Sequence, residues 1–508
     1  MTSSDSYPNS PLSSNSKEKQ SPTSPSEFQG SILEDLISLA GIAPEGLEDF
    51  LRALEPLLST QDGLSLQSVS KANLEIDSFV SLIDRNLSKQ LDAILHNQDF
   101  IDLERAWRSL KFLIDRVDFR ENIKIEILNV SKSELRYDLT DSPELTRSAL
   151  YRKVYTAEYG QFGGQPFGAV IAAYEVGANP ADMATLKNLA ALGAMAHVPF
   201  ICSVDRSFFG LSQWNDFPSL EDFDSLFHQP RYAAWQALRR DENSRYLALA
   251  LPGFLTRLPY CPQNASCRSF NYLESASQSD DYYVWGYASF LIALKMCESF
   301  VKYRWCAYIT GLNGGGLIED LPSLNFEAMG RSQNRISLRA VIGESLEKTL
   351  ADNGFIAVSV LESRGKAAIY SAPSVLKAKR FSSDEGGAKA ELNYRVSTLL
   401  PYMMIVNRLT HYIKVIQREN IGAWKDRQVL EKELNAWLNQ YVTDMENPSP
   451  AIRGRRPLRA AKIEVYDVEG FPGWRKMNVQ IRPHLKFMGA SFTLSLVGRL
   501  DEGRSGVS

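Results

Sequence analysis

Two hydrophobic periods alternate along this chain, and few folds accommodate both. Val80, Ile83, Leu87, Leu91, Ile94 and Leu95 recur at helical spacing, as do Leu103, Trp107, Leu110, Leu113 and Val117 in "DFIDLERAWRSLKFLIDRV". Such stripes predict amphipathic helices. In "NIKIEILNV", by contrast, Ile123, Ile125 and Ile127 alternate against charges, which predicts a half-buried strand. Strands and helices then mix without a repeat to about residue 380: strand "GAVIAAYEV", helix "MATLKNLAALGAMA", strand "PFICSV", helix "YASFLIALKMCESFVKY". Two long helices follow, "VSTLLPYMMIVNRLTHYIKVIQ" and "DRQVLEKELNAWLNQYV". The strands "AKIEVYDV", "WRKMNVQIRPH" and "SFTLSLVGRL" come last. In the final one Phe492, Leu494 and Leu496 alternate with Ser491, Thr493 and Ser495, so one face is meant to be covered. The expected class is α+β, with mixed sheets flanked by helices.

The first thirty residues behave differently. They hold ten serines and four prolines with almost no apolar content, which predicts a disordered tail over 1–30. A short helix is expected next: Ser31 and Glu34 form a capping box, Gly41 stands at the C-terminal stop, and Ile32, Leu33, Leu36, Ile37 and Ala40 share a face. Ten residues do not make a stable isolated helix. Two readings fit, docking into a partner's groove or onto the chain's own body. A second helical segment, "PEGLEDFLRALEPLL", completes a helical stretch at 31–60. The polar break "RFSSDEGGAKAE" at 381–391 is the best boundary between a domain at 71–380 and one at 391–500.

Composition bounds the function. A net charge of -4 over 508 residues gives no global pull toward nucleic acid or anionic membrane. No secretory signal opens the chain, and "LAALGAMAHVPFICSV", broken by His197 and Pro199, is too short for a membrane span. A cytoplasmic protein with no direct membrane insertion is therefore expected. The five cysteines, Cys202, Cys261, Cys267, Cys297 and Cys306, show no CxxC and read as structural thiols.

The motif closest to chemistry is "WCAYITGLNGGGLIEDLP". Trp305 to Ile309 reads as a short buried strand, followed by Gly311, Gly314, Gly315 and Gly316. A phosphate loop would need Lys-Ser/Thr after the last glycine, whereas Leu317, Ile318, Glu319 and Asp320 follow. The histidines His96, His197, His228, His411 and His484 are scattered, with no metal-ligand spacing. Cys202 and His197 lie close in sequence but in so apolar a context that packed core groups are expected. The pair Asp280–Asp281 reads as a solvated loop, and "RGRRPLR" at 453–459 as a salt-bridging protein contact rather than a nucleic-acid site. No catalytic constellation, cofactor site or metal site emerges, so the chain is not expected to be an enzyme. Its work is expected to be assembly.

From about residue 71 to 500 the chain resembles the large sheath subunit of bacterial type VI secretion systems, the TssC/VipB-type family. The resemblance rests on ordered blocks: "LDAILHNQDFIDLERAWRSLKFLID", "VYTAEYGQFGGQPFGAVIAAYE", "AHVPFICSV", "NSRYLALALPGFLTRLPY" and "WCAYITGLNGGGLIEDLP". Further on come "NRLTHYIKVIQRENIG", "PLRAAKIEVYDVEGFPGWRKMNVQIRPHLKF" and "LSLVGRL". Thr310, where relatives usually carry arginine, and Ala173, where they carry an acid, depart from the pattern, and 325–344 matches poorly.

The resemblance implies a contractile-tail-sheath-like architecture. It also implies a small sheath subunit (TssB/VipA type) as partner, with neighbouring copies of the chain forming a helical tube around an Hcp inner tube. That sheath would be docked on a baseplate at the inner membrane, and its contraction would propel the inner tube without ATP. Terminal strands are expected to exchange between protomers, which makes Phe492, Leu494 and Leu496 the candidate exchange residues. A ClpV AAA+ unfoldase is expected to grip the 31–41 helix through Ile32, Leu33, Leu36, Ile37 and Ala40. The alternative is a diverged sheath-like paralogue that caps or regulates the tube without contracting.

Overall fold

The computed structural model describes residues 66–496 apart from 160–163, 221, 263, 265–269, 277–278, 329–330, 336, 362–364, 380, 382–384, 420–425, 446–447, 468–474, 485, 488–489 and 492–493. The serine-rich tail, the 31–41 helix with its five candidate residues, and Phe492 lie outside the described residues.

The chain forms two compact units. The first contains helix α1 (Leu66–Leu95) and the excursion 259–275. Ile83, Leu87 and Leu91 of α1 are half-buried while Val80 and Ile94 are exposed. The Tyr272 hydroxyl donates to Asp92 at 2.6 Å. Glu274 clasps Tyr260 twice, its N–H donating to the Tyr260 carbonyl at 2.9 Å and its carboxylate accepting the Tyr260 N–H at 2.8 Å.

The second unit carries, in order, α2 (Gln98–Ile114), α3 (Lys132–Asp141), β1 (Val170–Val176), α4 (Pro180–Ala196), β2 (Phe200–Val204), α5 (Ala233–Arg240) and β3 (Leu247–Leu251). There follow α6 (Ala288–Tyr303), β4 (Leu317–Ile318), α7 (Glu344–Asp352), β5 (Phe355–Val360), β6 (Ala367–Ile369), α8 (Leu400–Glu419) and α9 (Arg427–Asn439). It ends with β7 (Leu458–Asp467), β8 (Arg475–Pro483) and β9 (Leu494–Leu496). A six-stranded sheet has the order β1-β2-β3-β5-β6-β4, parallel through β5 and antiparallel beyond. An antiparallel sheet, β7-β8-β9, stands apart from it. Mixed sheets flanked by helices are therefore the architecture.

The central strands are covered on both faces, which is why β3 reads as an unbroken apolar run, "LALAL", and β2, "FICSV", is interrupted only by Ser203, whose hydroxyl is paired with Ser289. One face meets an aromatic core of Phe208, Phe209, Phe217, Phe223, Phe227, Trp235 and Phe355. The other meets α6 and the inner side of α2. A third core lies among α8, α9 and the β7–β8 ladder. Helix α4 starts at Asn179, whose side chain accepts from Asp182 N–H, and Pro180 fits its first turn. It ends where His197 takes the left-handed conformation (φ 54°) usually given to glycine. Among the described residues no helix is long and apolar enough to cross a membrane.

Two expectations need correction. Only part of the Leu103–Trp107–Leu110–Leu113–Val117 stripe of α2 faces the core: Leu113 is buried and Leu110 and Val117 pack beside it, but Leu103 and Trp107 are 57% and 60% exposed, and Ile101, Arg105, Ser109 and Phe112 are buried instead. The rotation follows from polar contacts that a hydrophobic count does not weigh. Arg105 pairs with Glu175 and stacks on the Tyr287 ring, and Ser109 accepts the Tyr287 N–H at 3.1 Å. The predicted strand at 122–130 is not formed: Asn122 is left-handed (φ 59°), and 123–130 join no sheet. Ile123 and Ile125 are half-buried against exposed Lys124 and Glu126, as alternation demands, yet Ile127 and Leu128 are exposed and no ladder partner exists among the described residues.

Candidate functional site

Trp305 to Ile309 is buried but is a turn, not the expected strand, because Arg304 caps α6 in the left-handed conformation. The Ser299 hydroxyl replaces the ladder, donating to the Trp305 carbonyl (2.6 Å) and accepting the Tyr308 N–H (3.0 Å). Three of the four glycine N–H groups are spent within the protein: Gly311 donates to Ile369 O (2.8 Å), and Gly314 and Gly316 both donate to Gly311 O. Gly315 has φ 99°, and a Cβ on Gly316 would lie 2.3 Å from the Ile369 carbonyl. Close backbone packing explains the glycines. Thr310 borders this turn, and Ala173 lies in β1, packed against the second core.

Open α/β sheets usually bind ligands beyond the carboxyl ends of their parallel strands. Here that end is filled by side chains that satisfy one another. Lys132 donates to Asp182 and to the Glu175 carbonyl, both at 2.8 Å. Asp281 accepts from Arg206 (2.7 Å) and Arg339 (2.6 Å), and Asp280 lies 3.4 Å from Arg339. The Asp280–Asp281 pair is thus bound in an ion-pair network instead of standing solvated.

Cys202 and His197 do not act together. Burial pushes the Cys202 thiol up to about 12, so it is protonated at neutral pH. His197 belongs to a different group: its Nδ1 lies 3.3 Å from the Tyr246 hydroxyl and its ring 6.5 Å from that of His411. His411 Nε2–H donates to the Ala196 carbonyl at 3.3 Å. Lys414 lies over the Tyr155 and Tyr159 rings. Burial, together with Lys414, lowers His197 to about 3 and His411 to about 4. Among the described residues, no group of side chains could hold a metal ion, and Cys202, Cys261, Cys297 and Cys306 are free.

What remains are edges and surfaces. The β7-β8-β9 sheet has two unlike edges. Along β7, the Asn435 amide donates to the Ile463 carbonyl (2.7 Å) and accepts the Ile463 N–H (2.9 Å), and Glu431 accepts the Val465 N–H (3.1 Å). Four helical residues rise about 6 Å, close to the roughly 6.8 Å of two strand residues, so the polar i, i+4 pair of α9 stands in for a neighbouring strand. Leu430, Leu434 and Leu438 anchor the same helix in the core. This closes the β7 edge. The opposite edge is β9, where Leu494 pairs with Ile481 and Leu496 with Val479. The structure thus brings Leu494 and Leu496 to a sheet edge beside β8. The role of Asn435 was missed from the sequence; its only signal was a polar i, i+4 pair beside a leucine stripe.

Comparison with known proteins agrees with this emphasis on assembly. Residues 77–376 match the EvpB/VC_A0108 tail sheath N-terminal domain (VipB), and 389–500 match the EvpB/VC_A0108 tail sheath gpW/gp25-like domain. The "Type VI secretion system sheath protein TssC1" of Pseudomonas aeruginosa is 32% identical over 484 residues, covering 94% of this chain and 96% of that protein. Among solved structures, a chain of the anti-feeding prophage baseplate covers 75% of this chain and 84% of its own at 9% identity and TM-score 0.36. That likeness is too slight to carry an argument. The two sheath-domain matches and the near full-length relative show that the chain belongs to the VipB/TssC family of type VI secretion tail sheath proteins.

Proposed function

We propose that this chain is the large subunit of a contractile sheath in the bacterial cytoplasm, docked on a baseplate at the inner membrane. It pairs with a small sheath subunit, the pairs stack as a helical tube around an Hcp inner tube, and contraction propels that tube. Its two sheath domains are 71–380 and 391–500, and its work is assembly rather than catalysis. The observation that supports this best is unfinished β structure. Among the described residues 123–130 join no ladder, although Ile123 and Ile125 are half-buried against exposed Lys124 and Glu126, and α2 leaves Phe100, Leu103, Trp107 and, seven residues on, Ile114 exposed. A segment with a strand's alternation of burial and no ladder is open to pairing with a strand from a second polypeptide.

Exchange of terminal strands, with Phe492, Leu494 and Leu496 carrying the apolar face, would link protomers through backbone hydrogen bonds. A filament needs such contacts that do not close on themselves. Removing residues 491–508 is expected to abolish tubes while leaving the pair with the small subunit intact, read by negative-stain microscopy beside gel filtration. Normal tubes from the shortened chain would refute the exchange role.

A ClpV-type unfoldase recognises the 31–41 segment through Ile32, Leu33, Leu36, Ile37 and Ala40 in this reading. Leu36→Asp places a charge in that face and is expected to lose unfoldase binding at least tenfold, a cost of about 1.4 kcal/mol or more. Fluorescence anisotropy of the labelled segment measures it, and unchanged affinity would contradict the assignment.

A further inference from the structure

A cluster of arginines lies where the β7–β8 ladder begins. The turn of helix Pro450–Arg455 brings Arg453 and Arg455, then Arg456 and Arg459 follow into β7. The far end of β8 adds Arg482 and His484, with Ala460 paired to Arg482 and the His484 N–H donating to the Pro457 carbonyl at 2.8 Å. None of these five arginines has a carboxylate at ion-pair distance among the described residues, so the salt-bridging protein contact expected for 453–459 is not made among them. Arg453 Nε, Arg482 Nε and His484 Nε2 are shielded from solvent and have no hydrogen-bond partner. Burial, with Arg459 and Arg453 next, holds His484 below its ordinary value.

Clustered like charges with shielded, unused donors are unfavourable unless an anion completes them. The Nε edge of a guanidinium presents two parallel N–H donors that match a carboxylate. The nearby rings offer no stacking platform for a base: the Trp305 indole N–H donates to the Arg455 carbonyl at 3.2 Å, and Gly454 lies directly against the Tyr303 ring. We propose that the Arg453–Arg459–Arg482–His484 cluster is a carboxylate-binding site, filled in the assembled sheath by acidic side chains of a neighbouring protein chain. This rests on the sheath reading and names a contact within it.

The test uses the full chain co-produced with the small sheath subunit. Arg453→Lys and Arg482→Lys place an amine in the cluster, and a zero-length carbodiimide joins it to any touching carboxylate. A cross-link to an Asp or Glu of another chain is expected, as is a several-fold loss of tubes for Arg453→Glu/Arg482→Glu with the two-subunit pair retained. Arg453→Gln/Arg482→Gln, which brings in no new charge, is expected to show a smaller loss. Tubes at the original yield from the double glutamate chain, with no intermolecular cross-link, would overturn the proposal. So would stabilisation of the dispersed chain by inorganic phosphate but not by a polyglutamate peptide, which would mark a small-anion site. If the unaltered chain forms no tubes, the sheath reading fails, while polyglutamate binding and its loss in the double variant still decide the cluster.

Discussion

Replacing Trp235 by alanine is expected to destabilise the second unit by about 3–5 kcal/mol, as large aromatic truncations in tight cores do. Trp235 is fully buried, stacked on Phe355 at 5.3 Å and 26°, and meets Phe208 edge-on at 5.0 Å. Phe355 lies in β5 and Phe208 in the turn after β2, so the ring joins helix α5 to the sheet. The neighbouring Arg239 would lose its cover too; burial already lowers it to about 10, and it is held by Asp352 O (2.7 Å), Asn353 (3.2 Å) and Val375 O (3.3 Å). Trp235→Phe should cost far less, because the indole N–H has no partner to lose. Denaturant melts of both variants measure this. Equal, small losses would mean that the aromatic cluster is not the keystone of this unit.

Acid is expected to produce the second large effect. His197 and His411 have folded pKa values lowered to about 3 and about 4, below the ordinary 6.5, first through burial and then through the Lys414 charge. A group whose folded pKa is depressed stays neutral when folded while the unfolded chain takes up a proton. The stabilisation is therefore whole above pH 6.5 and shrinks as pH falls toward 4 and then 3. By pH 4.5 the loss is about 2–3 kcal/mol for each histidine. Carboxylates also titrate in this range, so the comparison is with His197→Gln/His411→Asn, whose stability should fall much less between pH 6.5 and 4.5. Lys414, itself lowered to about 8 by burial, supplies part of the repulsion, so Lys414→Met should also blunt the acid loss. Parallel slopes for all three chains would contradict the assignment.

Much of the fold was legible because burial wrote its period into the sequence. The strands β1, β2, β7 and β8 and the helices α4, α6, α8 and α9 all emerged from spacing, whereas β3, as apolar as β2, was not singled out as a strand. The misreadings share a cause: a side chain outside the segment decides the local outcome. Ser299 turns the predicted 305–309 strand into a closed turn, and Arg105, drawn to Glu175, rotates α2 so that Trp107 faces outward. From Glu385 onward, the break at 381–391 is helix. At 122–130 the predicted strand is absent: only Ile123 and Ile125 keep the expected alternation of burial, because a ladder depends on a neighbour that periodicity cannot supply. The edge formed by Asn435 against Ile463 left almost no trace, since an asparagine capping a strand reads like any exposed helical asparagine.

The central claim is that this chain builds a two-subunit tube. The most direct measurement is electron microscopy of the chain co-produced with the small sheath subunit. The account predicts long, hollow tubes containing both chains. A purified chain that forms no complex with the small subunit, and no tubes, would contradict it.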